Sequence, residues 1–309
     1  MKPVHIALAI MVAVIWGIAF VVSRIGLDVY SAPQLTALRF IVASIAVLWL
    51  PRPQVPWSTL VAIGLTVFTG QFLLQFFGIA GGMPAGLTAV VVQTQALFTV
   101  LFAALALGDK PNLQQVTGIV IAFIGLVMIG GTLSASIPLA AFMLTLGSAV
   151  SWAVGNVLIK RLPKINMLNL MAWASLVPPL PAFAVSLLIG DSRSIWTALV
   201  HAPLRGIIAP VYLGLVASVL AYAIWGNLLQ RYSAGAVAPF ALLAPVVGAI
   251  ASAMVYGERF GPARLAGMAC MLAGLAVAIV RRRSTNVSRV GHSEIPMPRP
   301  PRGVVHDRD

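Results

Sequence analysis

Ten residues carry the polar or aromatic chemistry available inside otherwise apolar stretches: Trp16, Phe20, Arg39, Gln71, Gln75, Gln93, Trp152, Asn156, Tyr222 and Trp225. Arg39 is the one formally charged side chain well inside such a stretch. A charge at that depth is costly and marks a functional position by default. Its guanidinium suits bidentate capture of a carboxylate. A competing reading has Arg39 fixing a helix end, or snorkelling to the outer interface from about two turns into its helix. No acid occupies a comparable place: Asp28, Asp109, Asp191 and Glu258 fall at the ends of apolar runs or between them, and Glu294, Asp307 and Asp309 lie in the tail. A zwitterion held by Arg39 would therefore offer its ammonium to amide oxygens, backbone carbonyls or an aromatic face.

Spacing groups the remaining residues. Trp152 and Asn156 are four apart and share a helix face, as do Trp16 and Phe20, and Gln71 and Gln75. Tyr222 and Trp225, three apart, do the same. Such pairs can wall a cavity with rings and amides, or they can bridge helices in a bilayer. Gln93 and Gln95 differ by about 200° around an α-helix, so one is expected to line the path, Gln93, and the other to pack. Pro84, Pro239 and Pro245 are expected to shape helices. Ala266, Cys270, Gly274 and Ala278 recur every four residues as a packing stripe. The lone cysteine has no partner, no His or Cys cluster has metal-ligand spacing, and no GxxxxGK[ST] stretch is present. Neither a metal nor a nucleotide cofactor is expected.

The elements that must position these residues follow from composition. Of 309 residues, 60% are apolar and 9% charged, against about 45–50% and about 25% in soluble domains. Twenty-seven charges cannot coat a water-soluble globule of this length. Ten apolar runs approach the ~20 residues of a spanning helix. They are Val4–Val22, Pro33–Leu50, Leu60–Ile79, Ala85–Leu107, Leu113–Gly131, Leu139–Ile159, Leu168–Ile189, Ile207–Leu229, Val237–Tyr256 and Ala263–Val280. None alternates with period two, which disfavours a β-barrel. The first run is too long for a cleavable leader and reads as an uncleaved helix.

The net charge of +13 is a topology signal more than a nucleic-acid footprint, since no basic face with interleaved aromatics exists. Loops on one side carry Lys2, Arg52, Lys110, Lys160, Arg161, Lys164, Arg231 and seven tail arginines, and the other side carries Arg24, Arg193, Arg205, Arg259 and Arg264. The excess of basic residues predicts cytoplasmic N- and C-termini. The tail 284–309 reads as a disordered, basic, Pro-rich segment.

An internal repeat organises the runs. Gly86, Ala89, Gly108-Asp109, Gly118 and Gly125 recur 149 residues on as Gly235, Ala238, Gly257-Glu258, Gly267 and Gly274. AVIWGIAFVV aligns with AVSWAVGNVL at an offset of 136, placing Trp16 on Trp152. Five helices per repeat is odd, so the second half enters the membrane inverted. Inverted repeats build secondary transporters, with the substrate near the midplane between halves. A receptor or scaffold has no need of that symmetry. An intramembrane enzyme acting on lipid-like substrates would need an acid or His cluster that the sequence lacks.

Several stretches carry a resemblance: VIWGIAFVVSRIGL (Val14–Leu27), ALRF (Ala37–Phe40), GMPAGLTAVVVQTQALFT (Gly82–Thr99), FMLTLGSAVSWAVGNV (Phe142–Val157) and AIWGNLLQRYSAGAVAPFALLAPVVG (Ala223–Gly248). In these the chain resembles EamA-type members of the drug/metabolite transporter superfamily, and within it the bacterial O-acetylserine/cysteine exporters. The resemblance implies an all-α membrane protein of ten helices in two inverted five-helix repeats, 1–133 and 134–283. It also implies inner-membrane location and export of O-acetylserine, cysteine or related compounds, with other drugs or metabolites as the alternative cargo. The expected partners are a small amino-acid derivative and membrane lipids, without nucleic acid; a homodimer stays open. With no mid-membrane carboxylate, the expected energy source is either the substrate gradient itself or protons entering at Asp28, Asp109 or Glu258.

Overall fold

A computed structural model describes residues 1–133, 137–163, 165–191 and 195–279. The expected tail, 284–309, lies outside the described residues. The fold is all-α. Among the described residues the apolar helices are α1 (Pro3–Leu27), α2 (Ala32–Leu48), α3 (Trp57–Ala80), α4 (Ala85–Leu107) and α5 (Leu113–Gly130), followed by α6 (Leu139–Lys160), α7 (Met167–Leu188), α8 (Leu204–Arg231), α9 (Ala236–Tyr256) and α10 (Pro262–Ile279). Eight are long and apolar enough to cross a membrane; α2 and α10 are shorter. A short helix, Ile195–Val200, joins α7 to α8.

Local chemistry sets many boundaries. Ser31 and Asn112 each open a helix with a reciprocal capping box, to Gln34 and Gln115, satisfying amides that have no partner within the helix. α4 and α9 end on Gly108 and Gly257, at φ +69° and +64°, a left-handed conformation that favours glycine.

The halves interlock, so neither has a private core. α1 packs on α8 and α9 of the second half, while α6 packs on α3 and α4 of the first. α5 and α10 lie side by side. A Cβ on Gly274 would sit 2.3 Å from the Ala122 backbone nitrogen, and one on Gly125 would sit 2.4 Å from that of Met271. The crossing is thus backbone against backbone, as small residues permit where no water drives helices together. Cys270 belongs to the same seam, its thiol donating to the Ile121 carbonyl.

The repeat extends to irregularities. α3 winds as a π-helix over Gly64–Gly70, and α8 does so over Tyr212–Leu220. In each, a hydroxyl donates to the carbonyl five residues back: Thr69 to Gly64, Ser218 to Leu213. Each π segment brings a glycine onto the backbone of a helix from the other half. A Cβ on Gly64 would meet Ala174 O and Val177; one on Gly214 would meet Arg39 O and Val42. Arg39 on α2 therefore has Ala174 on α7 as its counterpart.

Replacing Gly274 with Ala should destabilise the folded protein by about 1–3 kcal/mol, because only backbone could move to make room. Gly147→Ala, whose Cβ would meet nothing nearer than 3.5 Å, should be neutral. Thermal unfolding of the purified protein in detergent distinguishes the two.

Candidate functional site

The breaks in the helices converge on one cavity. α4 tightens to a 3₁₀ turn at Val92–Thr94, and α9 breaks at Leu242. Pro245 supplies the second break: it has no N–H to offer the Ala241 carbonyl four residues back. Between these breaks and the π segments of α3 and α8 lies a cavity of about 290 Å³. Its wall contains Trp16, Phe20, Arg39, Gln71, Gln75, Gln93, Trp152, Tyr222 and Trp225, with Ser23, Phe72 and Gln95 among the residues not expected from sequence.

Arg39 is 5% exposed, so the side chain does not snorkel to an interface. One guanidinium nitrogen donates to Ser218 Oγ at 3.2 Å. The π-helical turn makes this bond available: the Ser218 hydroxyl gives its proton to Leu213 O and presents a lone pair to Arg39. The guanidinium carbon stands 3.8 Å from the centre of the Phe72 ring, a cation–π contact that favours the charge where water is scarce. Arg39 Nε has no partner. Among the described residues, no carboxylate lines the cavity.

The amides complete the polar surface. Gln71 is 5% and Gln75 3% exposed, and Gln71 Oε1 and Gln95 Oε1 are buried without partners. Three residues of the lining, Arg39, Gln71 and Gln95, thus each carry a polar atom without a partner. Buried polar groups are otherwise nearly always paired, although these particular atoms are covered and do not face the open space.

Aromatic groups form the rest of the wall. Trp16 is pinned by an indole bond to Ala217 O at 3.0 Å. Its ring lies 5.8 Å from Tyr222 and 5.2 Å from Trp225. With its N–H spent on the backbone, Trp16 offers surface alone.

Two expectations change. Gln93 and Gln95 both line the cavity, because the 3₁₀ turn advances about 120° per residue and brings residues two apart closer in azimuth than an α-helix would. Asn156 lies outside the lining; its amide donates to Thr99 Oγ1 at 3.1 Å, tying α6 to α4. The shared face with Trp152 is real, but one turn carries Asn156 beyond the cavity. Spacing alone could not find Phe72, whose role follows from the π segment that turns it toward Arg39. Among the described residues, no group of three His, Cys, Asp or Glu side chains could hold a metal.

Interlocked inverted repeats around a buried cavity at the helix breaks define a secondary transporter. The chain belongs to the EamA-like transporter family, which it matches over residues 4–131 and 139–280. It is a transporter and not an enzyme. It is 39% identical to a Salmonella typhimurium protein described as a "Probable amino-acid metabolite efflux pump", over 92% of this chain and 97% of the relative. An Escherichia coli protein of the same description is 37% identical, over 92% of this chain and 97% of the relative. A "Probable terminal-alkyne amino-acid exporter" from Streptantibioticus cattleyicolor is 28% identical, over 89% and 92%. A crystal structure covering 90% of this chain and 97% of its own superposes with a TM-score of 0.60 at 18% identity, which shows the fold alone.

Trp152→Ala removes a cavity wall and should raise the substrate concentration for half-maximal transport about tenfold. Asn156→Ala loses a bond outside the cavity and should stay within about twofold. Both are read as initial transport rates normalised to membrane abundance.

Proposed function

We propose that this protein exports small zwitterionic amino-acid metabolites, O-acetylserine, cysteine or close relatives, across the inner membrane by alternating access. The observation that carries the reading is one cavity lined by the Arg39 guanidinium and by the amides of Gln71, Gln75, Gln93 and Gln95, with no carboxylate in the lining among the described residues. A carboxylate takes the guanidinium edge, and an ammonium takes the amide oxygens. Trp16, Phe20, Trp152, Tyr222 and Trp225 enclose the side chain, with Gln75 and Gln93 as further hydrogen-bonding groups. A volume near 290 Å³ lies at the small end of the ~300–1,000 Å³ of ligand sites, which suits a single amino acid better than a peptide. The efflux descriptions of the Salmonella and Escherichia relatives support the outward direction and the amino-acid class.

The excess of loop arginines and lysines supports cytoplasmic termini. Asp28, Asp109 and Glu258 stand at the rims, where Asp28 faces Arg24, Asp109 faces Lys160, and Glu258 accepts backbone amides. None reaches the cavity. Export down the substrate's own gradient is sufficient for relieving metabolite overflow.

Uptake into everted vesicles tests the cargo. The protein should speed entry of a free amino-acid derivative towards equilibrium and should not speed that of its methyl ester. Arg39→Gln should lower the rate for the free acid by about tenfold or more, the loss expected for a charge-assisted hydrogen bond in a dry site. Equal transport of acid and ester overturns the reading. For sidedness, a reporter fused after Arg283 should be cytoplasmic, and one placed at Asp191–His201 periplasmic.

A further inference from the structure

The two ends of the bundle are not equivalent, although the repeat makes them so in sequence. At one end the Glu258 carboxylate, just past α9, accepts the opening amides of α4: Ala85 N–H at 2.8 Å and Gly86 N–H at 3.1 Å. A carboxylate there also meets the positive end of the helix dipole. Every residue of Ala85–Val91 is buried. Against it lies the second half of α9, where a Cβ on Gly86 would approach Ala249 Cα to 2.9 Å and one on Gly248 would approach Ala89 Cβ to 2.7 Å. That end is shut.

At the other end the same parts are arranged differently. The offset of 149 puts Asp109 where Glu258 stands, and Ala234-Gly235 where Ala85-Gly86 stand. Asp109 pairs with Lys160 at the end of α6, and the Ser233 side chain makes no cap bond to the helical turn that leads into α9. Of Gln95–Leu107 in the second half of α4, only Leu97 and Ala103 are buried. In the first half of α9, Val237 turns to Ala9 of α1 and Leu228 of α8. That end is open.

The offset of 136 places Arg24 on Lys160. Arg24 ends α1, which packs on α9 as α6 packs on α4. It now donates to Ile79 O at 3.1 Å and stands 3.8 Å from Asp28. Every component of the present arrangement has a counterpart ready for its mirror image.

We propose that Glu258 and Asp109 are paired latches that exchange partners during the transport cycle. Here Glu258 holds α4 and Asp109 rests on Lys160. In the opposite state Asp109 caps α9 and Glu258 rests on Arg24. Each carboxylate alternates between helix amides and a base, so neither is left unpaired in either state. Both are positioning residues and neither touches cargo. The proposal rests on the transporter reading and not on the identity of the substrate.

The test follows two cysteine reporters in a Cys270→Ser background, with a membrane-impermeant maleimide and no substrate. Ser252→Cys sits in the shut seam, where Ser252 is fully buried. Ala241→Cys lines the cavity. Glu258→Ala should speed labelling of the Ser252 reporter roughly five- to tenfold and slow that of the Ala241 reporter, the shift expected from losing a helix cap in a two-state equilibrium. Asp109→Ala should do the reverse, leaving the Ser252 reporter protected. If Glu258→Ala does not accumulate, Asp109→Ala carries the test: the exposed pair with Lys160 that it also removes is worth little, so losing the cap of the opposite state dominates and labelling at Ala241 should rise. Reporters that move together, as in general loosening, or that ignore all the substitutions, overturn the proposal. Right-side-out and everted vesicles are compared, so an error in sidedness exchanges the preparations and leaves the opposed responses of the two reporters intact.

Discussion

A guanidinium held inside an apolar bundle without a counter-ion is the constraint around which the centre of this protein is arranged. Removing such a charge from water is costly, and an acid partner would ordinarily offset that cost. Arg39 receives instead a hydroxyl from Ser218 and the face of Phe72. Both come from helices that depart from regular winding. The π segment of α8 supplies the hydroxyl, and Phe72 follows directly on the π segment of α3. Irregular hydrogen bonding in a membrane is tolerated where backbone lines a cavity, so the same departures that stabilise the charge also open the space beside it.

Symmetry provides the scaffold, and its local failure provides the site. The π segments, the left-handed glycines ending α4 and α9, and the glycine seam of α5 and α10 all recur in both halves. Arg39 does not, because its counterpart is Ala174. One charged position in a doubled framework would give a bound carboxylate a single orientation. A symmetric pair of arginines would repel each other and would accept a ligand either way round.

The fold was legible in the sequence because bilayer chemistry leaves few choices: long apolar runs must be helices, and glycine pairs recurring in the same order at a fixed offset pointed to a repeat. Most of the polar part of the site was legible for a related reason, since few charged or amide side chains lie inside such runs at all. Periodicity failed where the helix is not an α-helix. The assumption of a regular advance put Gln93 and Gln95 on opposite faces; a 3₁₀ turn narrows their separation to about 120°, and both line the cavity. The face that Trp152 shares with Asn156 is regular α-helix, but it runs one turn past the cavity, and spacing does not say where a cavity ends. Phe72 was hidden among the Phe and Leu residues of α3, where only a three-dimensional contact separates a cation's partner from ordinary packing. The partners of Asp109 and Glu258 were equally out of reach, because equal sequence positions at the two ends carry unequal bonds.

The fixed place of Arg39 has an electrical consequence. Moving one elementary charge across a membrane potential involves about 2.3 kcal/mol per 100 mV. In the proposed alternating-access cycle, a guanidinium that kept its bond to Ser218 of α8 would stay at its own depth in that field while the cavity changed sides. A guest with balanced charges then carries no current, and the cell's voltage neither drives nor retards its passage. An anionic guest would be pushed outward by a negative interior, and the same arginine that receives it would help decide how far the voltage is felt.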